Sequence, residues 1–304
     1  MKNSALSEKR GNAFGIAFFR WFLHWGGINR ACEFVWFISL YYLLFDRQAV
    51  KSIMPYVQHR FPDAGYFKCQ WYAYRIFVSN GQSMLICAAN VAGYSFTKEF
   101  SQREAVLDYL QNSTSGMVII TSHFGNWQMA MKNMMDDLGR PINFLMRPEH
   151  NSHVREALKH NPDAEKLHVI PIDDEFGGMF GVIEALQRNE VVCIMGDRAV
   201  TDRHVDVDFL QATAQFPFTA FFMAAQMKCP VVPVFVAKSP LRHNHLLISF
   251  GELIMPKNSV TDKKSKFRRF VQQYVDALAA KAEQYPFQCY MFHNPWPKNA
   301  DDNH

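Results

Sequence analysis

The chain has 304 residues, of which 49% are hydrophobic and 20% charged, and this composition excludes a disordered or collagen-like protein. The length allows one large domain or two small ones with a sizeable buried core. A net charge of +4 is too small to make nucleic acid the first expected partner.

Residues 13–45 form a strongly apolar stretch that Gly26 and Gly27 interrupt. Its longest uninterrupted part, 34–45, is shorter than the roughly 20 residues that a spanning helix needs. Tryptophans, tyrosines and flanking basic residues favour a helical anchor that lies in the membrane interface. A tilted span over 28–45 and two buried helices of a soluble domain stay open as alternatives. We predict a membrane-anchoring region over residues 1–50 and a separate domain over 51–304, with no cleavable signal peptide.

Residues 66–111 have apolar side chains at helical spacing, with a candidate interruption at Ser79, Asn80 and Gly81. From residue 116 the pattern alternates between short β-branched runs and amphipathic segments. It predicts strands over 117–121, 142–146, 168–172, 191–195, 231–237 and 246–250, and helices over 127–138, 154–160, 179–188, 218–227 and 262–284. This alternation predicts an α/β fold with a central, largely parallel sheet flanked by helices. The charged residues 202–208 are interpreted as a loop, either a lid over a substrate or a solvated connection.

His123 lies two residues beyond the first of these predicted strands. In an open α/β sheet, ligands bind beyond the carboxyl ends of the strands. Gly125 permits a tight turn, and the start of the next helix offers unpaired N–H groups that favour negative charge. A histidine base beside such donors suits acyl transfer: the imidazole takes a hydroxyl proton, the oxygen attacks a thioester carbonyl, and the donors stabilise the oxyanion. Without further signals, a purely structural histidine remains the alternative.

The segment 123–128, with the sequence HFGNWQ, resembles the His-x4-acid motif of the lysophospholipid acyltransferase superfamily. It resembles more closely the His-x-Gly-Asn-Trp-Glu pattern of the lipid A biosynthesis (lauroyl/myristoyl) acyltransferase family. Further stretches are similar to elements of that family in the same order: 144–148 (FLMRP), 193–198 (CIMGDR), 209–217 (FLQATAQFP), 230–236 (PVVPVFV) and 285–288 (YPFQ). The resemblance covers about residues 15–297.

This resemblance implies that residues 51–304 are an acyltransferase domain. The donor would be an acyl-carrier-protein or acyl-CoA thioester, and the acceptor a hydroxyl group of a membrane lipid or glycolipid. It further implies a location at the cytoplasmic face of the cell inner membrane, with the acyl carrier protein as a partner. Neither a metal nor another cofactor is expected, and no nucleic acid.

The resemblance also assigns roles to individual residues. His123 would be the general base, and Gly125 and Asn126 would shape the oxyanion and head-group region. Arg147 would bind a phosphate or polar head group or stabilise the oxyanion. Asp197 and Arg198 would line the acceptor side of the site.

Three positions depart from the family pattern: Gln128 replaces the motif acid, Gln211 a glycine and Cys289 a tryptophan. The side-chain oxygen of Gln128 can orient the imidazole of His123 by a hydrogen bond, but it cannot neutralise an imidazolium. In a serine protease, replacing the orienting acid by its amide costs about 10⁴ in rate. Three interpretations stay open: another acid assists His123, the acceptor is an amine, or the chain is a catalytically weakened lipid-binding relative.

Asp197 and Glu149 are the candidates for the assisting acid. A soluble α/β hydrolase is a further alternative, although the Gly-x-Ser-x-Gly frame of such enzymes is absent. The pairs His150/His153 and His243/His245 lack further ligands at zinc-like spacing, so we interpret them as loop histidines.

The six cysteines include no Cys-x-x-Cys pair, and we expect them to be reduced and buried. A basic cluster at residues 263–269 is interpreted either as a docking surface for an acidic carrier protein or the membrane, or as a solvated helix face.

Overall fold

The computed structural model describes residues 13–129, 138–146, 168–172, 178–198, 203–240, 242–257 and 263–297. The helices in these ranges with complete bounds are α1 (Ala13–Phe45), α2 (Arg47–Arg60), α3 (Tyr66–Val91), α4 (Glu104–Asn112), α5 (Met179–Gln187), α6 (Thr219–Met227) and α7 (Lys263–Gln284). The strands are β1 (Thr97–Ser101), β2 (Met117–Thr121), β3 (Ile142–Met146), β4 (His168–Pro171), β5 (Val191–Met195), β6 (His204–Phe209), β7 (Ala212–Pro217), β8 (Val231–Lys238) and β9 (His245–Phe250). The predicted helix over 154–160 lies outside the described residues.

Seven strands form the central sheet in the order β1-β9-β8-β2-β5-β3-β4. Strands β8, β2, β5, β3 and β4 run parallel to one another, whereas β9 pairs antiparallel with β8 and parallel with β1. Every residue of β2 and of β8 is buried, as expected for central strands covered on both faces. The predicted α/β fold with a largely parallel central sheet is confirmed.

Two predictions about the connecting segments are wrong. Residues 97–101, predicted as helical, form the edge strand β1. Part of the predicted charged loop, from residue 204 onward, is strand β6, which pairs antiparallel with β7 in a separate two-stranded sheet. Burial alternates along β6, so Asp206 and Asp208 face outward while Val205, Val207 and Phe209 face inward.

The break predicted in the N-terminal apolar stretch is present at Gly27, whose φ of 69° and ψ of 173° are non-helical. The second half of α1 packs against α3, which runs through Ser79, Asn80 and Gly81 without interruption. A Cβ atom at Gly81 would lie 2.8 Å from Val35 Cγ1, so this glycine makes room for α1 instead of ending α3. Among the described residues, no helix combines the length and the apolar character needed to cross a bilayer.

Candidate active site

The candidate site lies at the carboxyl ends of the neighbouring strands β2 and β5. Thr121 pairs with Met195 in the parallel register, so the residues two positions beyond each partner meet at the same sheet edge. These residues are His123 and Asp197. The imidazole Nδ1 of His123 lies 2.9 Å from Asp197 Oδ2 and 3.2 Å from Oδ1, and the backbone N–H of His123 donates to Oδ2 at 3.0 Å.

Burial and charge together set the protonation of this pair. The side chain of Asp197 is 1% exposed and that of His123 is 39% exposed. Burial raises the pKa of Asp197, but the charge and hydrogen bonds of His123 outweigh it, and the pKa lies below its ordinary value. Burial likewise lowers the pKa of His123, but the Asp197 carboxylate outweighs it and the pKa is raised. Because a carboxylate accepts at Nδ1, that nitrogen carries the proton and Nε2 is left as the basic atom.

A second histidine, His293, binds the backbone of Asp197. The ring Nε2 of His293 lies 2.9 Å from the carbonyl oxygen of Asp197 and donates to it. Burial lowers the pKa of His293, in keeping with a neutral ring at this position. His293 is not predictable as a site residue from the sequence, because no local pattern connects it to residue 197.

The turn after His123 depends on a close approach of the backbone to β8. Gly125 has a φ of 53°, and a Cβ atom there would overlap the carbonyl oxygen of Val236. The N–H of Gly125 donates to the carbonyl of Gln288, and the N–H of Asn126 donates to the carbonyl of Val236, both at 2.7 Å. Both backbone donors are therefore already used inside the protein.

The side chain of Asn126 is fully buried and exchanges hydrogen bonds with Ser83 on α3. Because these donors have partners inside the protein, Gly125 and Asn126 can shape the oxyanion and head-group region through the path of the backbone, not as hydrogen-bond donors to a substrate. Their groups are occupied, so they fix the position of the loop that carries His123.

Gln128 does not orient His123 in the way the sequence predicts. Its Oε1 is buried and accepts a hydrogen bond from none of the described residues. The orienting contact is made by Asp197, one of the two candidate acids, while Glu149 lies outside the described residues. A carboxylate therefore does reach the imidazole, from a neighbouring strand instead of from the following helical turn.

The two predicted arginines of the site differ in whether the structure describes them. Arg147 lies outside the described residues, and Arg198 is exposed directly after Asp197. A helical segment begins at Trp127, and the N–H groups of Trp127 and Gln128 donate to no described residue, in agreement with the predicted unpaired donors. Among the residues that the structure describes, no cluster of histidine, cysteine and acidic side chains is arranged to hold a metal ion.

Comparison with known proteins adds a family assignment to this geometry. Residues 95–298, more than half of the chain, match the sequence profile of a family described as bacterial lipid A biosynthesis acyltransferase. The matched range contains the sheet, His123 and Asp197. No curated protein matches the chain significantly.

Proposed function

Since the chain belongs to the bacterial lipid A biosynthesis acyltransferase family, we propose that it transfers a fatty acyl chain from a carrier thioester to a hydroxyl group of a membrane lipid or glycolipid. The thioester is that of an acyl carrier protein or of coenzyme A. The contact between His123 and Asp197 carries this proposal, because it supplies an accessible base with a buried carboxylate behind it.

The proposed reaction begins at Nε2 of His123, which takes the proton of the acceptor hydroxyl as its oxygen attacks the thioester carbonyl. Asp197 stabilises the imidazolium that results. The N–H groups of Trp127 and Gln128, at the start of a helical segment, are the proposed donors to the oxyanion. When the tetrahedral intermediate collapses, the carbon–sulfur bond breaks and the imidazolium returns its proton to the leaving thiolate.

The alternative of a catalytically weakened relative was based on the missing acid at position 128. Asp197 removes the main physical reason for that alternative, because the imidazole of His123 already contacts a carboxylate. The same pair would serve an amine acceptor, which is a better nucleophile and demands less of the base. A hydroxyl acceptor is the primary proposal, since it is the case in which the His123–Asp197 pair is needed most.

An exposed group of aromatic side chains supports membrane contact. On α1 and at the start of α3 it comprises Phe37, Tyr41, Phe45, Tyr66, Phe67 and Trp71, which we call the aromatic surface. Phe67 is 85% exposed and Phe37 74%, and the rings of Trp36 and Trp71 contact each other between the two helices. Aromatic rings of this kind favour the interfacial zone of a bilayer. We therefore propose that the protein docks on the cytoplasmic face of the inner membrane, where carrier thioesters are available.

The membrane contact is tested by sedimentation with vesicles that contain anionic lipid. We expect Phe67→Ser to lower the bound fraction. Phe180→Ser is the matched control, because Phe180 is 63% exposed but lies on α5 and is not part of the aromatic surface. Equal binding of the two variants would argue against the aromatic surface as the contact.

The catalytic proposal is tested by lipid mass spectrometry on cells that express the native protein, His123→Ala or Gln128→Glu. We expect His123→Ala to abolish the acylated product, with His168→Ala, an exposed histidine of β4, as control. An unchanged product in His123→Ala would refute the proposal. We expect Gln128→Glu to give no increase, because Nδ1 of His123 already donates to Asp197; an increase would mean that Gln128 weakens the enzyme.

A further inference from the structure

Lys238 is a buried cation at the carboxyl end of β8, and it is only 7% exposed. Its Nζ donates to the carbonyl of Ser79 at 3.2 Å, to Ser79 Oγ at 3.0 Å and to Gln82 Oε1 at 2.6 Å. These acceptors are all neutral, and no carboxylate of the described residues forms an ion pair with the ammonium group. Burying an ammonium without a counter-ion is costly, and an apolar side chain of similar length would avoid that cost.

The acceptors of Lys238 connect it to the N-terminal helices. Gln82 lies on α3, and its Nε2 donates to the carbonyl of Cys32 on α1 at 3.0 Å. One amide side chain thus bridges Lys238 and α1. The ammonium group therefore lies where α1, α3 and the central sheet meet.

The same lysine is connected to the loop that carries His123 through Gln288 and Tyr290, two residues that follow helix α7. The side-chain amide of Gln288 donates to the backbone carbonyl of Lys238 and accepts from its N–H, both at 2.9 Å. The backbone carbonyl of Gln288 accepts from Gly125 in that loop.

The second connection runs through Tyr290. Its hydroxyl contacts the Oγ atoms of Ser79 at 3.0 Å and Ser83 at 2.7 Å, and donates to the carbonyl of Ser79. Its backbone N–H donates to the carbonyl of His123 at 2.7 Å. Ser79 therefore contacts both Lys238 and Tyr290, and Tyr290 in turn binds the backbone of His123.

We propose that Lys238 is a positioning residue, which joins α1 and α3 to the loop of His123 and thereby keeps the imidazole in contact with Asp197. The Lys238 amine holds three acceptor atoms of α3 in place. The serines of α3 in turn bind the Tyr290 hydroxyl and the Asn126 side chain. Buried polar networks of this kind select a single arrangement when every member has a partner. The expected effect of Lys238 on kcat rests on the proposed function, whereas its expected effect on the contact between His123 and Asp197 does not.

The first readout is the pKa of His123, followed by NMR titration of the full-length protein with isotope-labelled histidine. We expect Lys238→Met to lower the pKa of His123 toward its ordinary value, because the contact with Asp197 is loosened. Lys98→Met, on the exposed edge strand β1, is the matched control and should leave the titration unchanged.

The second readout is thioester consumption in the presence of acceptor lipid. We expect Lys238→Met to lower kcat about 10- to 100-fold with little change in KM, since a small misplacement of a base has effects of this size. A merely structural role would instead lower the folded fraction and leave the surviving molecules with native kcat and a native His123 titration.

A native titration of His123 in folded Lys238→Met would overturn the proposal. If that variant does not fold, Tyr290→Phe and Ser79→Ala test the same connection, and both must shift the titration in the same direction. If His123→Ala retains acyl transfer while the titration of His123 still depends on Lys238, the proposed function fails and the positioning role stands.

Discussion

Replacing Lys238 by methionine gives a stability prediction with a definite sign. Burial lowers the pKa of Lys238 from 10.5 to about 7, whereas the unfolded chain keeps the ordinary value. Between these two pH values the unfolded state binds more protons than the folded state, so the free energy of unfolding of the native protein rises with pH. Below about pH 7 both states are protonated, and the full cost of the buried ammonium is present.

The size of the effect follows from that interval. The difference between 10.5 and about 7 is about 3.5 units, which corresponds to at most about 5 kcal/mol at about 1.4 kcal/mol per unit. From pH 7 to 9.5 the free energy of unfolding of the native protein should rise by about 3 kcal/mol from this group. At about 2 °C per kcal/mol, this corresponds to about 6 °C in Tm. The acceptors that Lys238→Met leaves unpaired cost about 1–3 kcal/mol each. That cost does not depend on pH, so the test depends on how the difference in Tm between the native protein and the variant changes with pH.

The assay is thermal unfolding of the native protein and of Lys238→Met from pH 6.5 to 9.5. We expect the Tm of the native protein minus that of the variant to rise by several degrees across this range. Burial raises the pKa of Cys193 and of Cys229 to about 12, which lowers stability at alkaline pH in both proteins and cancels in the difference. A difference that stays flat with pH would refute the argument that Lys238 is a buried cation with a lowered pKa.

The remaining predictions concern the site itself. Asp197→Asn should lower kcat by about 10²- to 10⁴-fold in a thioester-consumption assay, and a loss below tenfold would contradict its role. The proposed reaction needs unprotonated Nε2, and Asp197 raises the pKa of His123. The acid limb of kcat/KM should therefore move to lower pH in Asp197→Asn, and an unmoved limb would assign it to another group. Gly125→Ala should lower the free energy of unfolding by more than about 3 kcal/mol. Gly139 has a similar positive φ but lies in open space, so Gly139→Ala should lower it by only about 1 kcal/mol. Equal losses of stability would contradict the close approach of Gly125 to β8.

The core of the fold was predictable because its central strands are buried on both faces. Strand β5 is an uninterrupted apolar run, strand β2 is apolar up to Thr121, and the predicted bounds of both agree with the structure. Strand β1 was missed because its sequence, TKEFS, is largely exposed at the sheet edge and has no apolar run. Strand β6 was missed because its outward-facing aspartates gave it the appearance of a charged loop.

The site was predictable in its location but not in its partnerships. His123 follows a predicted strand, and that position alone indicates the functional edge of the sheet. The pairing of His123 with Asp197 depends on β2 and β5 being neighbours, which is a nonlocal property that sequence spacing does not reveal. Local spacing predicts that the side-chain oxygen of Gln128 orients His123, but in the folded protein this buried oxygen accepts no hydrogen bond from the described residues.

The loop that carries His123 receives its hydrogen bonds from a segment made much later in the chain. Gln288 accepts from Gly125, and Tyr290 donates to His123. During synthesis from the N-terminus, strand β2 and its histidine therefore emerge long before the residues that fix their loop. A nascent or truncated chain that lacks residue 290 would contain His123 and Asp197 but would not hold this base in its final place. The final placement of His123 should thus be among the last events in the maturation of the protein, after the central sheet has formed.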